Sequence, residues 1–331
     1  MYEFIVLLRA LAAIVITNAH YEEIYPISII ANGGLLGDVI FFAVSGFCLY
    51  NIKISFIKWY KKRILRIYPA VWIITIVYIG LGFYKANTIG EIIRLLIYPT
   101  YYHFVASIII LYVIYYIMIY IATKLDLEMI KALRMILGCV LTIHCLLYIF
   151  VYDKSYYHID SVYEPMIRFL FLEAMLLGAI VHEKMNRHKI ELKYGYIVGI
   201  VITFVIYFGF KIALTRNNTI ALYQILNQAV LLLLLRFILL LTASFEEKIR
   251  DIPEKIYCCI QYLSKITLEI YLVQYALIPR LNIGIFPINF ISVSVGIVLV
   301  ASILHFVVGK IQILINHCGK VICVKKMEWR K

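Results

Sequence analysis

The sequence predicts an all-α, polytopic integral membrane protein of about ten transmembrane helices, with both termini cytoplasmic. Three observations carry that prediction. Hydrophobic residues make up 64% of the 331 residues and charged residues 15%, far from the roughly 45–50% apolar and 25% charged of soluble domains. Apolar stretches recur along the whole chain, each near the roughly 20 residues that cross a hydrocarbon core. The segments joining them are alternately rich and poor in Lys and Arg, as the positive-inside rule requires.

The first span, 4–24, has no Lys or Arg before it and is interrupted by Arg9, so it reads as a retained helix rather than a signal peptide. The second, 30–50, contains Asp38, and the third, 67–84, follows the basic segment 53–66. The others fall at 104–122, 133–151, 164–182, 195–213, 219–243, 262–280 and 288–309. With both termini inside, the inner segments hold 23 Lys and Arg and the outer ones 7, while Arg9 and Arg236 lie within spans. The net charge of +13 therefore belongs to topology and not to nucleic-acid binding. Cys48, Cys139, Cys145, Cys258, Cys259, Cys318 and Cys323 lie in or beside apolar runs without metal-ligand spacing and read as small hydrophobes. No Pro/Gly/Ser linker or repeat interrupts the chain, so 1–331 is expected to be a single transmembrane domain with no soluble extension.

Ionisable groups inside spans cost about 2.5–3.5 kcal/mol each on insertion scales, which makes them candidates for function. Arg9 and His20 are eleven residues apart, which on one helix puts them within about 20° of the same face and roughly 16 Å apart along the axis. Either they form a functional stripe or they are a snorkelling Arg and an interfacial His. Asp38 is expected at a depth comparable to that of His20, with Ser45 seven residues on near the depth of Arg9. The carboxylate could orient the imidazole, pair structurally with Arg9, or cap a helix end. Arg63 and Arg66, one turn apart after Lys61 and Lys62, suit a polyphosphate or serve as a topological cluster. Glu173, Arg236, Glu269 and the set Gln224, Asn227 and Gln228 are also intramembrane, and either lining or packing accounts for them.

Three stretches, "LRALAAIVITNAH", "GDVIFFAVSGF" and "RILRIYP", together resemble the membrane-bound acyltransferase family 3, ten-helix proteins that mostly O-acetylate cell-surface sugars with cytosolic acetyl-CoA. The family's arginine–ten residues–histidine motif falls on Arg9 and His20, its SGF motif on Ser45, Gly46 and Phe47, and its RxxR motif on Arg63 and Arg66. The resemblance is sharpest in residues 8–69. Fainter matches follow at 98–112, with His103 where an aromatic is common, and at 263–274, where Thr267, Tyr271 and Gln274 take the family's Ser, Tyr and His positions. The family's acidic residue of the second helix often lies one place beyond Asp38.

The resemblance implies acyl transfer across the plasma membrane. His20, Arg9 and Asp38 are the expected catalytic set, and Arg63, Arg66 and Ser45 the expected donor-binding set. His20 would act as general base or acyl carrier, Arg9 would contact the donor or stabilise charge, and Asp38 would orient His20. The expected partners are acyl-CoA (acetyl-CoA first), a carbohydrate acceptor such as an exopolysaccharide, capsule or other surface glycan, and membrane lipid, with no metal. The alternatives are a non-enzymatic transporter or flippase of a lipid-linked sugar, and a polysaccharide polymerase. The short loops oppose the polymerase, and the combination of RxxR with an Arg–His stripe favours transfer over carriage.

Overall fold

The computed structural model describes residues 2–99, 102–125 and 127–328, with side chains described to residue 313. Cys318, Cys323 and the basic tail from residue 314 on lie outside the described side chains. The described residues are helical without a strand: α1 (Glu3–Asn18), α2 (Gly34–Leu49), α3 (Phe56–Gly80), α4 (Ile89–Ile97), α5 (His103–Lys124), α6 (Met129–Phe150), α7 (Ile167–Arg187), α8 (Tyr194–Arg216), α9 (Gln224–Ser244), α10 (Glu246–Ile249), α11 (Glu254–Lys265), α12 (Thr267–Leu281) and α13 (Ile288–Glu328).

Seven of these stretches are long and apolar enough to cross a membrane, and eight if α11 and α12, broken at Ile266, count as one. Their surfaces agree with that reading. Val201, Ile202, Phe204, Val205 and Ile206 of α8 are all exposed, a contiguous apolar face that water would not tolerate but lipid does. A helix stands at each of the ten expected spans, yet two fall short as independent spans. Helix α1 has only 16 residues, about 24 Å of rise, and α7 carries Arg168, Glu173, Glu183, Lys184 and Arg187.

The contacts resolve into two units interleaved along the chain. The first comprises Met1–Asn18, Asn32–Trp59 and His103–Ser264, the second Ala19–Ala31, Tyr60–Tyr102 and Lys265–Lys331.

In the first unit α7 is central, packed against α2, α5, α6 and α9. Its crossing with α2 is a backbone contact: a Cβ on Gly46 would collide with the Met175 carbonyl, and one on Gly178 with the Ala43 carbonyl. Small residues at such a crossing bring helix backbones together where no hydrophobic effect drives association. Tyr115 donates to the Gly46 carbonyl at 2.7 Å at the same crossing. The start of α1 is capped from afar, since the Glu246 carboxylate accepts the Glu3 and Phe4 N–H groups at 3.0 and 2.9 Å, where a helix has unsatisfied donors and a positive end.

In the second unit α12 packs along α13, and the turn after α1 is tied to the start of α13. Tyr21 and Ser294 share a hydrogen bond of 3.0 Å, and Asn289 donates to the Ile24 carbonyl at 3.2 Å. Tyr78 of α3 reaches the Val273 carbonyl of α12 at 3.1 Å. Helix α4, which the hydropathy reading missed, doubles back along α3. Its last carbonyls, of Leu96 and Ile97, accept from Trp72 Nε1 at 2.9 Å and Tyr68 OH at 2.6 Å.

Three expected boundaries move. Helix α3 starts at Phe56, ahead of the span expected from 67, because Lys and Arg are good helix formers and carry the helix through the basic segment. Helix α13 runs on past 309 to Glu328. Helix α1 ends at Asn18, where the Asn18 amide donates to the Asn32 carbonyl at 3.1 Å. A side chain that bonds backbone outside its own helix favours a helix end.

Candidate active site

The early end of α1 corrects one expectation directly. His20 lies in the turn beyond the helix, so the 100° periodicity no longer relates it to Arg9. Of the expected site residues, Arg9, Asp38 and Ser45 belong to the first unit and His20, Arg63 and Arg66 to the second.

In the second unit His20 lines a cavity of about 690 Å³, within the range of small-molecule sites. The other walls come from Glu22 and Glu23 of the same turn, from Phe83, Tyr84 and Lys85 just past α3, and from Tyr275 and Arg280 of α12. The His20 ring sits edge-on to Tyr275, with centroids 6.3 Å apart. Arg280 lies over Phe83, its guanidinium carbon 3.6 Å from the ring centroid, and donates to the Ala276 carbonyl at 2.6 Å. Behind this wall Tyr84 donates to Tyr102 at 2.8 Å. His20 opens to the cavity, yet the surrounding protein strips enough of its water to lower its pKa below 6.5, with Glu22 opposing more weakly. A neutral imidazole beside carboxylates and cations is equipped to take and return a proton.

The arginine pair occupies the other part of the same helix. Arg63 is half-buried and Arg66 exposed on successive turns of α3. From Arg66 to Gly80 the helix rises about 21 Å, with Phe83–Lys85 of the cavity just beyond. One helix therefore carries the two arginines and leads directly to the histidine cavity. On α12, Thr267 and Gln274 are buried.

In the first unit Arg9 lies midway along α1 and Ser45 near the end of α2, both half-buried. Asp38, on the first turns of α2, is within electrostatic reach of Tyr207 on α8, as is Asp160. The Tyr207 hydroxyl is buried and has no hydrogen-bond partner among the described residues. Gly46 serves the α2–α7 contact, and Phe47 packs against His182, with centroids 4.6 Å apart. His182 Nδ1 in turn bonds the Phe47 carbonyl at 2.9 Å, so two of the three SGF positions have packing duties.

Several polar residues that the sequence left open now have a structural account. Gln224 accepts the His158 and Ile159 N–H groups at 3.0 and 2.9 Å, and Gln228 donates to Asp160 at 2.9 Å. These two are packing: they pin the α6–α7 loop onto α9. Burial raises the Asp160 pKa, with the Tyr157 and Gln228 hydrogen bonds and Lys211 acting against that rise. Glu173 pairs with His144 of α6 at 2.9 Å, and Glu269 pairs with His305 of α13 at 2.8 Å. Both partners are histidines that the sequence reading passed over. So were Glu22, Glu23, Lys85 and Arg280 of the cavity, none of which lies in a motif. Among the described residues no group of three or more His, Cys, Asp or Glu could hold a metal ion.

Residues 2–308 match the family model for the acyltransferase domain of acyltransferase family 3. No curated protein and no solved structure matches the chain.

Proposed function

We propose, from the premise that this chain belongs to acyltransferase family 3, that it transfers an acyl group, acetyl first among them, from acyl-CoA on the inner face of the plasma membrane to a carbohydrate hydroxyl. The acceptor is a cell-surface or lipid-linked glycan. The observation that carries this reading is a histidine cavity at one end of α3 and a guanidinium pair towards the other.

Arg63 and Arg66 hold the phosphates of the donor through charge-assisted hydrogen bonds. His20 removes the proton of the acceptor hydroxyl as its oxygen bonds to the acyl carbon. The carbon–sulfur bond breaks, and His20 returns the proton to the departing thiolate. Glu22 and Glu23 accept hydroxyls of the sugar.

The test uses the full chain in sealed vesicles with labelled acetyl-CoA and a glycan acceptor. Transfer predicts stoichiometric release of free CoA thiol and appearance of the label as an ester on the glycan, both lost in His20→Ala. Movement of glycan across the membrane without thiol release would identify a carrier instead.

A further inference from the structure

The second unit holds a feature that the transfer chemistry does not use. Helix α4 is nine residues long and opens with a capping box, in which Thr88 and Glu91 satisfy each other's backbone N–H groups. Its exposed Ile89, Ile93 and Ile97 repeat every fourth position and form one apolar stripe. Between that stripe and α3 lies a groove of about 370 Å³, lined by Tyr68, Trp72, Ile93, Leu96 and Ile97. The polar atoms of its two aromatic residues are turned inward: Tyr68 OH and Trp72 Nε1 both donate to carbonyls at the end of α4. They satisfy groups that hydrocarbon could not and present only ring carbon to the groove. Around it Leu65, Ile76, Val77 and Leu81 of α3 are exposed, so the groove opens on a lipid-facing surface and only a hydrocarbon chain suits it.

The groove shares α3 with the His20 cavity. From Trp72 to Gly80 the helix rises about 12 Å, and Phe83, Tyr84 and Lys85 of the cavity follow directly. The cavity carries the cations Lys85 and Arg280 alongside Glu22 and Glu23. A hydrocarbon chain in the groove would thus sit below a cavity with positive charge for a phosphate and carboxylates for sugar hydroxyls. Bulk phospholipid has no need of that alignment, whereas a sugar joined through phosphate to a long chain uses all of it.

Resting on the acyltransferase reading, we propose that the α3–α4 groove seats the hydrocarbon tail of a lipid-linked acceptor and that its head group occupies the His20 cavity.

Two measurements test this on the full chain in phosphatidylcholine vesicles. In the first, a diazirine-bearing polyprenyl phosphate and a diazirine-bearing phosphatidylcholine are photolysed separately. The polyprenyl probe should label Ile93, Leu96 or Ile97, and excess unlabelled polyprenyl phosphate, but not excess phospholipid, should suppress that labelling. Equal labelling by both probes, or none by the polyprenyl probe, would overturn the proposal in favour of bulk lipid. In the second, Ile93→Trp narrows the groove without touching either carbonyl cap. Its kcat/KM should fall about tenfold further for a polyprenyl-phosphate-linked sugar than for the same sugar without the tail, the weight of roughly two methylenes of buried chain. Equal losses for the two acceptors would also overturn it. If the wild type transfers no acyl group to any acceptor, yet the polyprenyl probe labels the groove competitively, the acyltransferase reading fails and the groove assignment stands.

Discussion

At the scale of the residue, His20 separates the proposed chemistry from simple packing. It sits in a turn, edge-on to Tyr275, and lines a cavity, so His20→Ala leaves no hole in a helix interface. Acyl transfer should fall by about 10²–10⁴-fold, the ordinary weight of a general base, while the amount of protein in the membrane stays near wild type. Equal yield with equal activity would remove His20 from the reaction. The pH dependence carries a sign. Because burial lowers the pKa of His20 from 6.5, the neutral base persists to lower pH than in a free imidazole. The acid limb of kcat/KM should therefore have its midpoint below 6.5, and a midpoint above it would oppose His20 as the titrating base. At the other part of α3, replacing Arg63 and Arg66 together with Ala should raise the KM for acyl-CoA at least tenfold and the KM for acceptor far less. Lys at both positions should restore only part, for want of the planar fork. That His20 would leave the α1 helix was not legible in the sequence, because the Asn18–Asn32 hydrogen bond that helps end the helix joins residues fourteen apart. The Glu173 and Glu269 partners lie 29 and 36 residues away and leave no local trace.

At the scale of the element, the long apolar helices were legible because lipid demands them, and the short ones were not. Helix α4 is too short to register as a span, and its Glu91 and Arg94 make the stretch look like a polar loop. The signal that could have found it is the Thr–x–x–Glu sequence ahead of an apolar run. Helix α3 likewise begins ahead of its expected span, since hydropathy marks where lipid begins and not where helix begins. The α2–α7 crossing offers a sharp test. Gly46 and Gly178 each abut a carbonyl of the other helix, so a methyl group at either must push two backbones apart. Gly46→Ala and Gly178→Ala should each cost about 1–3 kcal/mol, the usual range for overpacking, read as a lower thermal midpoint in detergent. A variant as stable as wild type would mean that the helices do not meet so closely. The family motif that includes Gly46 thus has a packing reason beside any reason of chemistry.

At the scale of the whole molecule, the orientation of the helices follows from the distribution of Lys and Arg and can be checked with the native cysteines. Cys258 and Cys259 are exposed on α11, in a segment expected inside, and Lys154 lies in a segment expected outside. A membrane-impermeant maleimide applied to intact cells should label Lys154→Cys and spare Cys258 and Cys259, and inside-out vesicles should reverse the pattern. Cys48, Cys139 and Cys145, within helices, should react poorly from either side, since an impermeant, charged maleimide does not enter hydrocarbon. Labelling of Cys258 from outside would overturn the topology, and with it the placement of Arg63 and Arg66 on the donor side.

The His144–Glu173 pair has a consequence for how this protein is made. Helix α7 carries a carboxylate that hydrocarbon would reject from an isolated segment, and its partner lies on the helix synthesised just before it. Insertion of α6 and α7 as a hairpin would let Glu173 meet His144 without first standing alone in hydrocarbon. The residue that gives the first unit its buried α6–α7 hydrogen bond thus also ties the insertion of one helix to the other.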